Sequence, residues 1–169
     1  KGEHITFVDS DDLVADNTYR QVMAIAQGHD IVEFPVCRHY GTAQQTMLTF
    51  GDRVFTDMED YWLRGYAYEH TYAWNKVYRL SLFRDHDILY PWGCLYEDLG
   101  TTYRLLARAH SVAFVNEPLY DYLKDRPGNI TGEFNMRAYH VLDMVKITLD
   151  DYKRLGIYEK YYEELKFLG

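Results

Sequence analysis

The chain has 169 residues, 47% of them hydrophobic, which is enough for one packed core without disulfide support. Lys+Arg 18 against Asp+Glu 26 leaves a net charge of −8, so the basic face of a nucleic-acid binder is excluded as an expectation. The two cysteines, Cys37 and Cys94, are far apart and form no Cys-x-x-Cys pair, which indicates neither a disulfide framework nor a cysteine zinc site and fits a reducing, cytoplasmic setting. Apolar runs such as Val22 to Ala26 fall well short of the roughly 20 residues a membrane helix needs.

In chain order, Ile5 to Val8 reads as a short buried strand that stops at the cluster Asp9-Ser10-Asp11-Asp12. Asn17 to Ala26 has helical spacing, with Val22, Ile25 and Ala26 on one side and Gly28 as a stop. Asp30 to His39 reads as one strand, and Thr46 to Phe50 and Arg53 to Thr56 flank Gly51-Asp52 like a hairpin. A helix is expected from Asp57 to about Glu69, then a polar turn at Arg84 to Asp87, and another helix from Glu97-Asp98 to about Ala109. Val112 to Val115 reads as a strand, and Leu119 to Tyr122 continues extended after Pro118. A long amphipathic helix is expected over Glu133 to Leu155, with Phe134, Ala138, Val141, Leu142, Val145, Leu149 and Tyr152 as its stripe and Gly156 as its C-cap. A last helix follows from Tyr158 to Leu168. The pattern implies an α/β fold, a mixed sheet with flanking helices, divided as residues 1–132 and a C-terminal helical tail of residues 133–169.

Several groups of residues could carry chemistry. At an extended strand end, residues two apart point the same way, so Asp9 and Asp11 can face one divalent ion while Asp12 turns elsewhere. Two carboxylates with phosphate oxygens and water suit Mg²⁺ or Mn²⁺; the plain alternative is a solvated turn that caps the next helix. Glu97-Asp98 at a helix start could supply a general base, although acidic residues are favoured there by the helix dipole alone. Lys76, beside Trp74-Asn75, and Arg126, beside a Pro-Gly turn, could neutralise a departing diphosphate. The seven histidines include no pair at metal-ligand helical spacing and read as structural or solvated. Tyrosine is frequent, at 17 residues, and suits sugar surfaces as well as half-buried core positions. The C-terminal run Tyr158, Tyr161, Tyr162 and Phe167 with Lys160 and Lys166 could touch a membrane surface, but packing on the preceding helix is favoured.

Taken in order, five pieces resemble a bacterial family 2 glycosyltransferase of the GT-A (Rossmann-like) fold: Gly2 to Asp12, Ala73 to Arg79 with Ser81-Leu82-Phe83, Glu97-Asp98, Glu117 to Tyr122, and Arg126 to Thr131. The resemblance implies inverting transfer of a sugar from a nucleotide-sugar donor to a glycan or lipid-linked glycan acceptor. It further implies bacterial surface polysaccharide synthesis at the inner membrane face. Asp9 and Asp11 match the family's Asp-x-Asp metal motif, which calls for Mg²⁺ or Mn²⁺, and Asp98 matches its catalytic base. Lys76 and Arg126 fall where the family carries basic residues and are assigned to the donor diphosphate, while Trp92, Glu97 and Trp74 are assigned to the acceptor side. Two departures stand out. Asn129 replaces the family's usual serine, and the nucleotide-binding portion that precedes the Asp-x-Asp strand in the family is absent from these residues, so little or no transfer is expected of this chain alone.

Two other readings compete. Phe7-Val8-Asp9-Ser10-Asp11 also resembles the start of a haloacid-dehalogenase-like phosphohydrolase, with Asp9 as nucleophile and Asp11 as acid/base, but Leu13 stands where that family has threonine or valine. A non-catalytic glycan-binding or assembly module is the third.

Overall fold

The computed structural model describes residues 2–47, 53–64, 67–124 and 136–168. The chain divides into two compact units: one of Lys1–Val54, Ala73–Leu80 and Ser111–Phe134, the other of Phe55–Tyr72, Ser81–His110 and Asn135–Gly169. This division differs from the expected boundary at 132/133. The C-terminal segment belongs to the core of the second unit rather than trailing behind it.

The first unit carries two sheets. Strand β1 (His4–Thr6) and strand β3 (Ile31–Glu33) both pair antiparallel with β7 (Lys76–Arg79), and β3 pairs parallel with β8 (Val112–Phe114). The order is β1-β7-β3-β8-β6, where β6 is Val54–Phe55 and the Phe114 N–H donates to the Arg53 carbonyl at 2.9 Å. β1 is shorter than the expected Ile5 to Val8, because the chain leaves the ladder at Phe7 to enter the aspartate turn. Helix α1 (Thr18–Ala26) covers this sheet with Val22 and Ala26, both buried, as its spacing predicts.

The second sheet has the order β2-β9-β4-β5, with β2 at Leu13–Val14, β4 at Val36–Tyr40, β5 at Ala43–Met47 and β9 at Tyr120–Lys124. β4 and β9 run parallel, with Cys37 opposite Asp121. The expected single strand over Asp30 to His39 is therefore two strands in two sheets, parted at Phe34-Pro35. Proline has no N–H to give a ladder, so the break falls where pairing is weakest. The hairpin is also elsewhere. Tyr40 pairs with Ala43 across Gly41-Thr42, where Gly41 adopts φ 55, and β5 and β6 lie in different sheets. Gly51-Asp52 itself lies outside the described residues.

The second unit is helical. It contains α2 (Met58–Arg64), α3 (Ser81–Arg84), α4 (Glu97–Leu106), α5 (His140–Arg154) and α6 (Tyr162–Leu165), with 3₁₀ turns at Ala67–Glu69, Met136–Tyr139 and Lys166–Leu168. α4 and α5 pack closely, because Gly100 has no side chain where Met144 crosses: a Cβ there would lie 2.7 Å from the Met144 Sδ. The Tyr152 hydroxyl donates to the Tyr103 carbonyl at 2.9 Å, and Arg108 holds Asp151 through two hydrogen bonds of 2.6 and 3.0 Å.

The buried stripe of α5 is Met144, Thr148, Asp151 and Tyr152, rotated from the expected one, and Leu142 is 60% exposed. Thr148 and Asp151 can be buried because Leu99 and Arg108 satisfy them. Gly156 follows α5 in the left-handed region at φ 71, as a C-cap requires. The last expected helix shortens to α6 and its 3₁₀ turn, and Tyr161 is buried edge-on against Tyr152. Among the described residues, no helix is long and apolar enough to cross a membrane.

Candidate functional site

The aspartate cluster is a turn rather than a strand end. The Asp12 N–H donates to the Asp9 carbonyl at 3.2 Å, which folds the tetrapeptide back on itself between β1 and β2. As a result, carboxylate oxygens of Asp9, Asp11 and Asp12 all come within 4.8 Å of one another. Asp9 and Asp11 are exposed, while Asp12 is buried. Asp12 does not turn away, as the spacing suggests, but anchors the turn. It accepts the Tyr120 hydroxyl at 2.9 Å on one oxygen and the Leu123 N–H at 2.9 Å on the other. The same Tyr120 oxygen accepts the Asp9 N–H at 3.0 Å, so one buried phenol from β9 ties both ends of the turn. Burial is the main cause that pushes the Tyr120 pKa up, and its hydrogen bond to Asp12 acts in the same direction.

The donor set is all carboxylate oxygen, two outward and one fixed. That chemistry fits a hard divalent cation such as Mg²⁺ or Mn²⁺.

Lys76 and Trp74 lie in the same unit but depart from their expected roles. Lys76 is wholly buried: its Nζ lies 3.4 Å from the Glu33 Oε1 and donates to the Asn75 Oδ1 at 2.8 Å. Asn75 in turn donates to Glu33 at 3.1 Å and to the Phe34 carbonyl at 3.3 Å. This network locks β7 to β3, where Glu33 faces Lys76 in register, and turns the ammonium away from solvent and so from any diphosphate. Trp74 is only 8% exposed, stacked on Tyr120 (centroids 4.8 Å apart) and Tyr122 (5.4 Å), so it supports the tyrosine that holds the turn and offers no sugar platform. Arg126, with Asn129, lies outside the described residues.

In the second unit, Glu97 and Asp98 form the first turn of α4, as expected, and both are half-buried. Tyr96 precedes them at φ 62, a left-handed start that redirects the chain into the helix. The Asp98 Oδ1 accepts the Leu99 N–H at 2.8 Å, and an anion in a first turn is favoured by the helix dipole. After burial, the Asp98 charge is the next cause pushing the Tyr103 pKa up, which marks the two as electrostatic neighbours. Trp92 is 98% exposed on the loop before α4. That loop is held from the C-terminal segment: His140 accepts the Leu95 N–H at 3.0 Å and Arg137 donates to the Gly93 carbonyl at 3.4 Å.

No protein-family model matches the chain. In sequence it is 29% identical over 131 residues to EpsH of Bacillus subtilis (strain 168), a protein named provisionally as a glycosyltransferase; the match covers 72% of this chain and 38% of that protein. In structure it matches S. aureus TarS 1-349 solved with UDP-GlcNAc, with a TM-score of 0.68 and 18% identity over 91% of this chain and 49% of that one. The same protein solved with UDP gives a TM-score of 0.69 at 17% identity, covering 89% of this chain and 41% of that one. The chain has a glycosyltransferase-like α/β fold. It spans half or less of the length of each of these relatives. Local spacing singles out Asp9 and Asp11 and does not show that Asp12 and Tyr120 shape the turn. The available signal was Tyr120 in a strand over a hundred residues further on, which no local pattern connects to Asp12.

Proposed function

We propose that this chain is part of an inverting family 2 glycosyltransferase that moves a sugar from a nucleotide-sugar donor to a glycan or lipid-linked glycan acceptor in bacterial surface polysaccharide synthesis. The observation that carries the reading is the carboxylate turn of Asp9, Asp11 and Asp12, gathered within 4.8 Å and anchored by Tyr120. Support comes also from TarS, a protein of similar fold that was solved with UDP and with UDP-GlcNAc.

On this reading Asp9 and Asp11 would hold Mg²⁺ or Mn²⁺, which supplies positive charge to the diphosphate as it leaves. Asp12 and Tyr120 keep the two carboxylates turned outward. Asp98 accepts the proton of the acceptor hydroxyl. The freed oxygen forms a bond to the anomeric carbon as the bond from that carbon to the diphosphate oxygen breaks on the opposite face, which inverts the configuration. Trp92, with Glu97 beside Asp98, receives the acceptor.

The test measures sugar transfer and donor binding separately, in the longest form of the protein that transfers sugar. Asp98→Asn is expected to reduce kcat by about 10²-fold or more, in the range typical of general-base loss, with UDP affinity in Mn²⁺ unchanged. Asp11→Asn is expected to weaken Mn²⁺-dependent UDP binding at least tenfold. Transfer at the parental rate by Asp98→Asn would overturn the base assignment, and metal-independent glycan binding without transfer would favour a binding module.

A further inference from the structure

The parallel pairing of β4 with β9 creates a second cluster that sugar transfer does not use. Cys37 and His39 are two apart on β4 and so share a face, and Asp121 stands opposite Cys37 in the parallel register on the same face. One ligand atom from each, the thiol sulfur, an imidazole nitrogen and a carboxylate oxygen, lies within 4.8 Å of the others. The His39 Nε2 is 2.7 Å from the Asp121 Oδ1, and the Gln44 amide of β5 lies 3.3 Å from the His39 Nδ1. All three side chains are half-buried, so the cluster is reachable from solvent. The neighbouring alternation points the other way: Arg38 lies over the Tyr122 ring at 5.7 Å, and Trp74 stacks on Tyr120 and Tyr122, which places the aromatic group on the face opposite Cys37.

We propose that Cys37, His39 and Asp121 form a binding site for a borderline-soft divalent ion, Zn²⁺, with a fourth position open to solvent. The donor set decides the metal. Thiolate sulfur, imidazole nitrogen and carboxylate oxygen are all ligand types that zinc accepts, whereas Mg²⁺ and Mn²⁺ prefer all-oxygen sets such as the turn of Asp9 and Asp11. The distances also fit. Bonds of about 2.0–2.3 Å at tetrahedral angles set ligand atoms roughly 3.3–3.6 Å apart, so the His39–Asp121 pair opens by under about 1 Å and no pair has to close by more than about 1.5 Å.

Gln44 is the outer support, since its amide can turn to accept the Nδ1–H and leave Nε2 for the metal. Without metal, burial pushes the Cys37 thiol pKa up, and the Asp121 charge and hydrogen bond push it further. Zinc would replace that thiol proton, which passes to solvent, and the sheet would gain a clamp joining β4 to β9.

The experiment titrates the full chain with Co²⁺, in excess Mg²⁺ to occupy the oxygen turn, and then with Zn²⁺. A thiolate-to-cobalt charge-transfer band that Zn²⁺ displaces stoichiometrically is expected. Cys37→Ser should abolish the band, and His39→Gln and Asp121→Asn should each weaken binding at least tenfold. Absence of the band, or its survival in Cys37→Ser, overturns the site. Should those variants fail to fold, Gln44→Ala decides: residue 44 is exposed, and about tenfold weaker Zn²⁺ binding with an unchanged metal-free unfolding midpoint is expected. Unchanged affinity in Gln44→Ala would count against the proposed geometry.

Discussion

Lys76 carries the sharpest lesson at the scale of single residues. A lysine beside Trp74-Asn75 reads as a surface cation, but its partner Glu33 lies 43 residues earlier (76 − 33), and only the β3–β7 pairing brings the two together. Nothing in local spacing distinguishes a cation that meets a ligand from one that meets a buried glutamate. The energetic consequence is specific. Removing one member leaves the other charged without its partner at a site closed to solvent, so Lys76→Met is expected to cost about 3–5 kcal/mol in urea unfolding. Joining it with Glu33→Met removes both charges, and the double variant is expected to recover most of that loss. Additive destabilisation in the cycle would mean that the pair is not coupled. The aspartate turn is the opposite case. The carboxylate cluster of Asp9, Asp11 and Asp12 is visible because its residues are contiguous, while the phenol that fixes the turn lies far along the chain.

At the scale of elements, the helices whose apolar residues recur at one period were legible, α1 and α4 among them, because local spacing and tertiary burial agree there. The departures have physical causes. Pro35 divides a run whose β-rich composition reads as continuous, and a paired turn forms at Gly41-Thr42, which no Asn-Gly or Asp-Gly pair marks in the sequence. In α5 the buried face includes Asp151, which a hydrophobicity count assigns to solvent. It is tolerated because Arg108, Arg104 and Arg154 surround it. Burial alone would push the Asp151 carboxyl up, but its hydrogen bonds to Arg108 and Arg154 outweigh that and hold the pKa below its ordinary 3.8. A lowered folded-state value means that stability is gained above the unfolded pKa and lost as pH falls through the folded one. Asp151→Asn is therefore expected to destabilise by about 3 kcal/mol at neutral pH. The gap to the parent should hold down to about pH 4 and close at lower pH, as followed by unfolding midpoints across an acid series. A gap that is independent of pH would show that the carboxylate charge is not what α5 uses.

At the scale of the whole molecule, the chain's path decides what can be removed. Each compact unit is assembled from separate segments, and the second takes its last one from Asn135–Gly169. The sequence reading sets residues 133–169 apart as a helical tail because the last family-like motif ends at Thr131. Its contacts are those of a core. Met144 fills the space above Gly100, Thr148 and Tyr152 donate to carbonyls of Leu99 and Tyr103, and Asp151 holds Arg108. The loop carrying Trp92 and leading to Asp98 depends on it as well, through His140 and Arg137. Ending the chain at residue 132 would strip α4 of its packed neighbour and leave Arg108 without its carboxylate. The apolar side chains that α5 buries, Met144 and Tyr152, are worth roughly 3–6 kcal/mol together, a large share of the usual stability of a small unit. The 1–132 fragment is expected to bind hydrophobic dye, and the amides of α4 should exchange at unfolded rates while the full chain protects them. Protected α4 amides in the fragment would show instead that α4 is held without α5, and that the second unit is smaller than its contacts imply.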